Sequence, residues 1–494
     1  TETRSDLPGC LMLEGPVGTR KKRVMEITPE FVLKWYRELN QVVPGQPVSI
    51  ESFLELLPVV SELPPFPPST RVLVRGDVDA GIRNETVING TRLQSMLQTL
   101  RYGIEKGWVQ VIIGHRGRDP ELSLEPVCRY FEEVLSQPIT FIRDWVQEDG
   151  TIPGHVVELI QSQSSGSIVI LENTRRYAWE RAFWKASSEE LDSQAVPLAR
   201  MIREIAEKIA DVFVHEAISA SNPDVSSSLI PSAMKHVALG FYIDREFRKH
   251  VVRARAAELV VFSGLKIEKL SDLESIIRRG QVRMVIAAGS LAMALKKAEA
   301  NLLHKTFCMG KAEDPQFKDE KFYIPSSRIQ QAERMLQDGK KRGVEFVLPI
   351  DFVLQDETVV ETIGPEGQQL DIGPESIAWF RERLQAFMDA TPSEDPGSDR
   401  SRVAFHNGVF GMFEDPRFER GTRAFVSELK GLNDHGIEVY VGGGEGGSAL
   451  KKYGDPSWVT HVFTAGGTIL KALGDASIPY LKAMWLSRRC EQTK

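Results

Sequence analysis

The sequence predicts an α/β protein of two doubly wound, Rossmann-like parallel-sheet domains joined by a helix and preceded by an N-terminal extension. Short β-branched apolar runs alternate with amphipathic segments, a pattern typical of a parallel sheet covered by helices on both faces. The alternation stops in a charge-rich stretch, residues 241–258, and then restarts. The chain has 494 residues, enough for two domains of ordinary size.

The individual elements follow from these runs. In the first half, strands are predicted at 72–74, 109–113, 168–171 and 212–214, and a helix at 91–106. Residues 29–41 predict an earlier helix with Thr28 as its N-cap, and a proline-rich linker begins at Leu63. Residues 241–258 predict one long helix. In the second half, strands are predicted at 259–262, 283–287, 346–348, 403–405 and 439–441, and 391–398 reads as a polar loop.

Composition narrows the class of protein. The net charge of −7 argues against a nucleic-acid-binding role. The four cysteines are scattered without metal-ligand spacing, which predicts a reducing compartment without structural disulfides or zinc. No run reaches the length of a membrane span, and the N-terminus has no apolar signal core. We therefore expect a cytoplasmic or organellar protein that is not secreted.

In the first half, basic and polar residues directly follow successive predicted strands. They are Arg75-Gly76-Asp77-Val78-Asp79, Gly114-His115-Arg116-Gly117-Arg118 and Glu172-Asn173-Thr174-Arg175-Arg176, with Arg92 opening the first helix. Because the carboxyl ends of parallel strands meet at one edge, these side chains are predicted to converge. One such arginine alone is typical of a surface ion pair, but a convergent set predicts a site for a small polyanion.

In the second half, two glycine-rich turns lead from a strand into a helix. They are Val441-Gly442-Gly443-Gly444 and Ala465-Gly466-Gly467-Thr468. Such turns present backbone N–H groups and the positive end of a helix dipole, which favours a phosphate, although a tight packing turn is the alternative. Ser263-Gly264-Leu265-Lys266 and Ala288-Gly289-Ser290 follow two further strands, and Lys266 could neutralise a phosphoryl group in transfer. The two halves together predict a two-substrate kinase lacking Walker A and protein-kinase motifs.

These segments together resemble phosphoglycerate kinase, from about Arg71 to Leu481. Nine motifs occur in the family's order: VLVRGDVDAG, VIIGHRGR, VILENTRRY, VVFSGLKIEKL, VLPIDFVL, LDIGPES, FHNGVFGMFEDPRFERGTRAF, YVGGGEGGSAL and HVFTAGGTILKALGDASIPYL. The resemblance implies an N-terminal extension at 1–65, a 3-phosphoglycerate-type domain at 66–240, a connecting helix at 241–258 and a nucleotide-binding domain at 259–474. It also implies that the tail, 475–494, packs back on the N-terminal domain.

The resemblance assigns roles residue by residue. Positions for a 3-phosphoglycerate-like anion are Asp77, Asp79, Arg92, His115, Arg118 and Arg175, of which Arg92 is also catalytic. Lys266 would follow the migrating phosphoryl group, and Gly466 and Gly467 would stabilise it. Positions for ATP or ADP are Gly264, Lys266, Gly289, Asn407, Val409, Glu414, Gly442, Gly443 and Gly444, with Glu414 on the ribose. Glu445 would bind the Mg²⁺ that accompanies the nucleotide.

Several positions depart from the family's pattern. Asp79 replaces an asparagine, Pro223 replaces a substrate-binding arginine, and Leu270 replaces a second phosphate-handling lysine. Lys269 is adjacent to Leu270, but on a helix one residue is a rotation of about 100°. The remaining departures are His406 for tryptophan, Glu445 for the metal-binding aspartate, Gly446 for threonine and Ala465 for glycine.

Two functions therefore remain open. The first is phosphoryl transfer between ATP or ADP and 3-phosphoglycerate, a glycolytic reaction, with impaired activity. The second is a catalytically inactive structural or interaction subunit of a cytoskeletal, ciliary or organellar assembly. The second function is motivated by the altered site positions and by residues 1–65, which the family does not need and through which a protein partner could bind.

Overall fold

The computed structural model describes residues 26–40, 49–390, 402–474 and 476–492, without the side chains of the last three. Much of the predicted N-terminal extension and the predicted polar loop at 391–398 lie outside these residues. The chain divides into two compact units, unit 1 (1–48, 52–243 and 479–494) and unit 2 (49–51 and 244–478).

Unit 1 is built on a parallel sheet. The strands are β1 (Arg71–Arg75), β2 (Gly81–Arg83), β3 (Thr86–Asn89), β4 (Val109–Ile113), β5 (Ile139–Ile142), β6 (Ile168–Leu171), β7 (Val212–His215) and β8 (His236–Leu239). Six of them form one sheet in the order β5-β6-β4-β1-β7-β8, all parallel, whereas β2 and β3 form a separate antiparallel hairpin. The central strands are buried over nearly their whole length, which explains their continuous β-branched sequences.

Helices precede, connect and follow these strands. They are α1 (Pro29–Asn40), α2 (Ile50–Leu56), α3 (Thr91–Ser95), α4 (Leu97–Glu105), α5 (Glu125–Leu135), α6 (Gly154–Gln161), α7 (Ala182–Lys185), α8 (Ser188–Glu204), α9 (Val225–Ser228), α10 (Phe241–Arg245) and α11 (Val252–Ala254). Thr28 caps α1 as predicted, because its hydroxyl accepts a hydrogen bond from the Phe31 N–H at 3.2 Å.

Two predicted helices differ from those observed. The single helix expected at 91–106 is divided at Met96, whose N–H donates to the Leu93 carbonyl in a tighter i→i+3 bond. The helix expected at 241–258 contains a π-helical turn, Glu246–Val251, and ends at Ala254. It stops before Glu258 because the Glu258 N–H already donates to the Val403 carbonyl, where the second sheet begins.

Unit 2 repeats the architecture. Its strands are β9 (Leu259–Phe262), β10 (Met284–Ala287), β11 (Glu345–Val347), β12 (Phe352–Leu354), β13 (Val359–Val360), β14 (Gln369–Ile372), β15 (Val403–Asn407), β16 (Glu438–Gly442) and β17 (His461–Val462). Six form a parallel sheet in the order β11-β10-β9-β15-β16-β17. The short antiparallel sheet β13-β12-β14 was not predicted.

The helices from this point are α12 (Lys269–Arg278), α13 (Gly289–Leu302), α14 (Ser326–Lys341), α15 (Pro374–Asp389), α16 (Arg420–Asp434), α17 (Gly443–Tyr453), α18 (Gly466–Leu473) and α19 (Pro479–Gln492). The last of these belongs to unit 1. The two parallel sheets confirm the predicted fold class. In each unit the chain changes its direction of winding beside the first strand, β1 or β9, which is where open α/β sheets bind ligands.

Candidate functional site

The carboxyl edge of the unit 1 sheet gathers most of the predicted anion-binding residues. The register aligns Arg75, at the end of β1, with Ile113 of β4 and His215 of β7. Residues that follow these strands therefore emerge at one edge. Asp77 and His115 are buried there, and the Arg175 side chain is only 10% exposed. Arg118 is the exception, since it is exposed.

Arg92 is paired with a carboxylate of its own unit. Its Nη1 donates to Asp79 Oδ2 at 2.9 Å, and both side chains are about one-third exposed. The other Asp79 oxygen, Oδ1, accepts a hydrogen bond from the Gly117 N–H at 2.8 Å. The aspartate that departs from the family's asparagine thus links the candidate catalytic arginine to the loop after β4.

Asp77 is held by hydrogen bonds within its own unit. It accepts hydrogen bonds from the Ser219 hydroxyl at 2.7 Å and the Ser219 N–H at 3.2 Å. Burial raises the pKa of the Asp77 carboxyl, while Arg92 and the Ser219 bonds act in the opposite direction.

His115 is a neutral member of this group. The Arg75 guanidinium, which can only donate, contacts His115 Nδ1 at 2.7 Å, so Nδ1 is the acceptor and the ring proton is on Nε2. Burial, followed by the charges of Arg75 and Arg175, holds the pKa of His115 well below its ordinary value. His115 can therefore offer an N–H donor to an anion but not a positive charge.

Two buried carboxylates, Glu180 and Asp224, were not singled out as site residues from the sequence. Glu180 accepts hydrogen bonds from the Thr174 hydroxyl and from the N–H and hydroxyl of Ser226. Asp224 Oδ2 lies 3.7 Å from Arg175 Nη2 and 3.6 Å from His115 Nδ1. Burial raises the pKa of Glu180 to about 7 and also raises that of Asp224. Their signal in the sequence was weak, because neither follows a strand directly.

In unit 2, the glycine-rich turns meet at the carboxyl edge of the second sheet. Gly443 has φ +86°, and a Cβ on Gly466 would lie 2.9 Å from the Gly443 Cα, closer than real Cβ atoms approach. Likewise, a Cβ on Gly289 would lie 2.8 Å from the Gly264 carbonyl oxygen. The helices α13, α17 and α18 all begin at these glycines, so their free N–H groups point to this edge.

Asn407 lies at the centre of this edge. Its side-chain Nδ2 donates to the Gly442 carbonyl at 2.9 Å, whereas its buried Oδ1 has no hydrogen-bond partner among the described residues. A buried acceptor without a donor is costly in the free protein, and it is satisfied when a ligand or water supplies one. This supports the prediction that Asn407 faces a ligand.

Two lysines follow β9, and they differ in exposure. Lys266 is exposed, while Lys269 is 15% exposed and its Nζ donates to the Ser263 carbonyl at 3.2 Å. The same Nζ lies 3.7 Å from Glu445 Oε2. Burial, partly offset by Glu445, lowers the pKa of Lys269. Leu270 is fully buried in the core.

This position of Lys269 corrects the expectation that a helical rotation would turn it away. The helix α12 begins only at Lys269, and residues 266–268 form a turn with i→i+3 bonds, so the rotation of about 100° per residue does not apply before it.

The remaining predicted nucleotide positions differ in exposure. Val409 is buried and Glu414 is exposed. Gly444 and Gly467 lie in the first turns of α17 and α18, where a Cβ on Gly444 would meet open space. Close packing therefore requires glycine at 466 and the positive φ favours it at 443, whereas neither applies at 444.

Glu445 is the predicted metal ligand. Its carboxylate is 49% exposed in the first turn of α17, next to Gly264 and Lys269. Magnesium bound with a nucleotide needs only one or two carboxylates, because water and phosphates supply the rest. The donor set fits such an ion, with the Lys269 ammonium as an electrostatic competitor for the carboxylate.

Comparisons with known proteins agree with this geometry. A sequence model of phosphoglycerate kinase matches residues 68–475. The phosphoglycerate kinase of Eremothecium gossypii is 27% identical over 429 residues, covering 83% of this chain and 94% of that protein. That of Yarrowia lipolytica is 26% identical over 434 residues, covering 84% and 95%.

Solved structures show the same fold. The phosphoglycerate kinase of Pyrococcus horikoshii superimposes with a TM-score of 0.67 at 24% identity, covering 88% of this chain and all of that one. The structure from Coxiella burnetii gives 0.64 at 22% identity, covering 89% and 100%. Among the described residues, none of the helices has the length and apolar character needed to cross a bilayer. The match over most of its length shows that the chain belongs to the phosphoglycerate kinase family.

Proposed function

We propose that this protein binds ATP or ADP with Mg²⁺ at the carboxyl edge of the unit 2 sheet and transfers a phosphoryl group to or from 3-phosphoglycerate only weakly. Nucleotide binding is supported by the helix N-termini at Gly443 and Gly466 and by the unpartnered Asn407 Oδ1. In this proposal, Glu445 holds the metal and Lys269 neutralises phosphate charge. The bound Mg²⁺ would supply charge neutralisation for the transferring phosphoryl group.

The observation that supports weak phosphoryl transfer is the Arg92–Asp79 ion pair at 2.9 Å. An arginine that stabilises a transferring phosphoryl group must direct its N–H donors at the ligand. Here one donor is engaged by a carboxylate that also repels an anionic substrate. Loss of one preorganised donor typically costs roughly a hundred- to a thousandfold in rate. The proline at position 223 removes a further cation.

Replacing Asp79 by asparagine tests this proposal. An asparagine oxygen can keep the hydrogen bond from the Gly117 N–H while the negative charge beside Arg92 is removed. The assay measures turnover in both directions, with ATP and 3-phosphoglycerate or with ADP and 1,3-bisphosphoglycerate. We expect weak wild-type turnover, at least tenfold higher kcat/KM in Asp79→Asn, and no turnover in Arg92→Ala.

Asp119→Asn is the matched control, because it removes the same charge from an exposed site near the same loop. An equal gain in that variant, or turnover that survives Arg92→Ala, contradicts the assignment. Thermal unfolding with MgATP tests the nucleotide site separately, since a ligand at 100 times its Kd stabilises by about 2.7 kcal/mol. Absence of both stabilisation and turnover would refute the proposal and favour the inactive interaction role.

A further inference from the structure

The environment of Asp224 suggests a role in ligand exclusion. Asp224 follows Pro223 and precedes the four-residue helix α9, where an aspartate usually caps the helix with its side chain. The Asp224 side chain makes no capping bond. Glu180 takes that role instead, because its Oε2 accepts the Ser226 N–H at 2.9 Å. The Asp224 carboxylate is therefore not needed to cap helix α9.

The carboxylate instead faces the predicted anion site. It is fully buried, and neither oxygen has a hydrogen-bond partner among the described residues. Its ion-pair contacts are with Arg175 Nη2 at 3.7 Å and His115 Nδ1 at 3.6 Å, and the Trp184 side chain also acts on its pKa. A buried carboxylate held by nearby positive charge without hydrogen bonds is poorly satisfied. Because it faces Arg175 Nη2, it would compete with the phosphate or carboxylate of a ligand for the same guanidinium.

The charges nearby support this reading. The guanidinium groups of Arg75 and Arg175 both attract the carboxylate, while Glu180 places a second acidic group beside Arg75. The family's pattern has an arginine at position 223, which would add a cation to this edge of the unit 1 sheet. The chain has proline there and an aspartate next to it, so the local balance shifts from attracting an anion to repelling one.

We propose that Asp224 is a resident anion of the unit 1 site, which pairs with Arg175 and excludes phosphate and carboxylate ligands. The inference depends on the proposed function for the identity of the ligand, 3-phosphoglycerate. The contact between Asp224 and Arg175 does not depend on it. It assigns a specificity-determining role to a residue that touches the candidate site without belonging to the family's substrate-binding set.

Equilibrium binding of inorganic phosphate and of 3-phosphoglycerate, measured by calorimetry on the full chain, tests this role. We expect Asp224→Asn and Asp224→Ala to bind both anions at least tenfold more tightly than wild type. The gain should disappear when Arg175→Met is added. Asp211→Asn is the control, because Asp211 is a partly exposed aspartate of the same unit, paired with Lys235, and its loss should change affinity less than twofold.

Three results overturn the proposal. The first is unchanged affinity in both folded Asp224 variants, and the second is an equal gain in Asp211→Asn. The third needs no Asp224 variant. If the wild-type protein binds phosphate at sub-millimolar concentration and the Arg175→Met variant does not, the site is already open to anions. Nucleotide binding to unit 2 is measured in the same samples. Its absence would refute the proposed function while leaving the phosphate result, and hence this inference, intact.

Discussion

His406 should make the stability of the protein depend on pH. It lies in the middle of β15, is 2% exposed and packs 5.1 Å from the Phe425 ring, measured between centroids. Burial lowers its pKa to about 4, because the charged imidazolium would lose its hydration. The unfolded chain takes up this proton near the ordinary value of about 6.5. The folded state thus binds fewer protons, and its stability is present above pH 6.5 and is lost as the pH falls towards 4.

The size of the effect follows from these two values. Each pKa unit corresponds to about 1.4 kcal/mol, and integration of the proton linkage gives a loss of about 2 kcal/mol between pH 7 and pH 5 for this group alone. His406→Phe removes the titrating group and keeps a buried ring of similar shape. Its unfolding free energy should therefore fall by about 2 kcal/mol less than that of wild type over this interval.

Urea denaturation at pH 7 and pH 5, followed by tryptophan fluorescence, measures this difference. His155→Phe is the matched control, because His155 is exposed in the first turn of α6 and its loss should leave the pH dependence near that of wild type. Other buried groups titrate in both proteins and cancel in the comparison. If His406→Phe loses as much stability as wild type between pH 7 and pH 5, His406 is not held neutral by burial and the reasoning fails.

Three further predictions concern unit 2. Lys269→Met should weaken MgATP binding by roughly ten- to a hundredfold, whereas Lys266→Met should change it less than threefold, because the Lys269 ammonium is held beside Glu445 and the Ser263 carbonyl while Lys266 is exposed; equal effects in calorimetry would contradict this. Leu270→Lys, which restores the family's lysine, should lower the unfolding free energy by about 3 kcal/mol or more, since position 270 is fully buried; an unchanged denaturation midpoint would place 270 outside the core. Gly408→Ala should destabilise unit 2 by more than about 2 kcal/mol, because the φ of Gly408 is +101° and a Cβ would overlap a backbone carbonyl oxygen. Gly431→Ala in helix α16 should instead stabilise unit 2 by about 0.5–1 kcal/mol, and thermal unfolding measures both changes.

The parallel sheets could be predicted because their signal is local. A strand buried on both faces must be apolar throughout, as Val72–Val74 and Val439–Val441 are, and glycine is required where a turn approaches another backbone, as at Gly466. The weakly apolar hairpins gave no such signal. Strand β13 has only two residues, and its partner β12 has only three.

The site was predicted less completely, because its electrostatics depend on contacts between distant residues. Which cations meet at the edge of the first sheet follows from the order of the strands. That Asp224 would face Arg175 does not, since it depends on Glu180 capping α9 from 46 residues away in sequence. The error at Lys269 has a different cause, which is that the helix starts later than its apolar pattern indicates.

The altered positions of the two units share one physical consequence. Arg92 is paired with Asp79, Arg175 with Asp224 and Lys269 with Glu445, so cations that would face a ligand are matched by carboxylates of the chain itself. Convergent cations repel one another in the free protein, and binding sites commonly retain such strain because function needs it.

A ligand must displace an internal carboxylate from its cation before it can bind. Burial raises the pKa of Asp224, so the ionised Asp224 carboxylate does not stabilise the folded state, whereas Asp79 is a partly exposed ion-pair partner. Replacement of Asp79 by asparagine should therefore lower the unfolding free energy slightly and raise the affinity for anions, and replacement of Asp224 should raise the affinity without lowering the unfolding free energy. If the altered positions were unselected drift without electrostatic consequence, neither quantity would change.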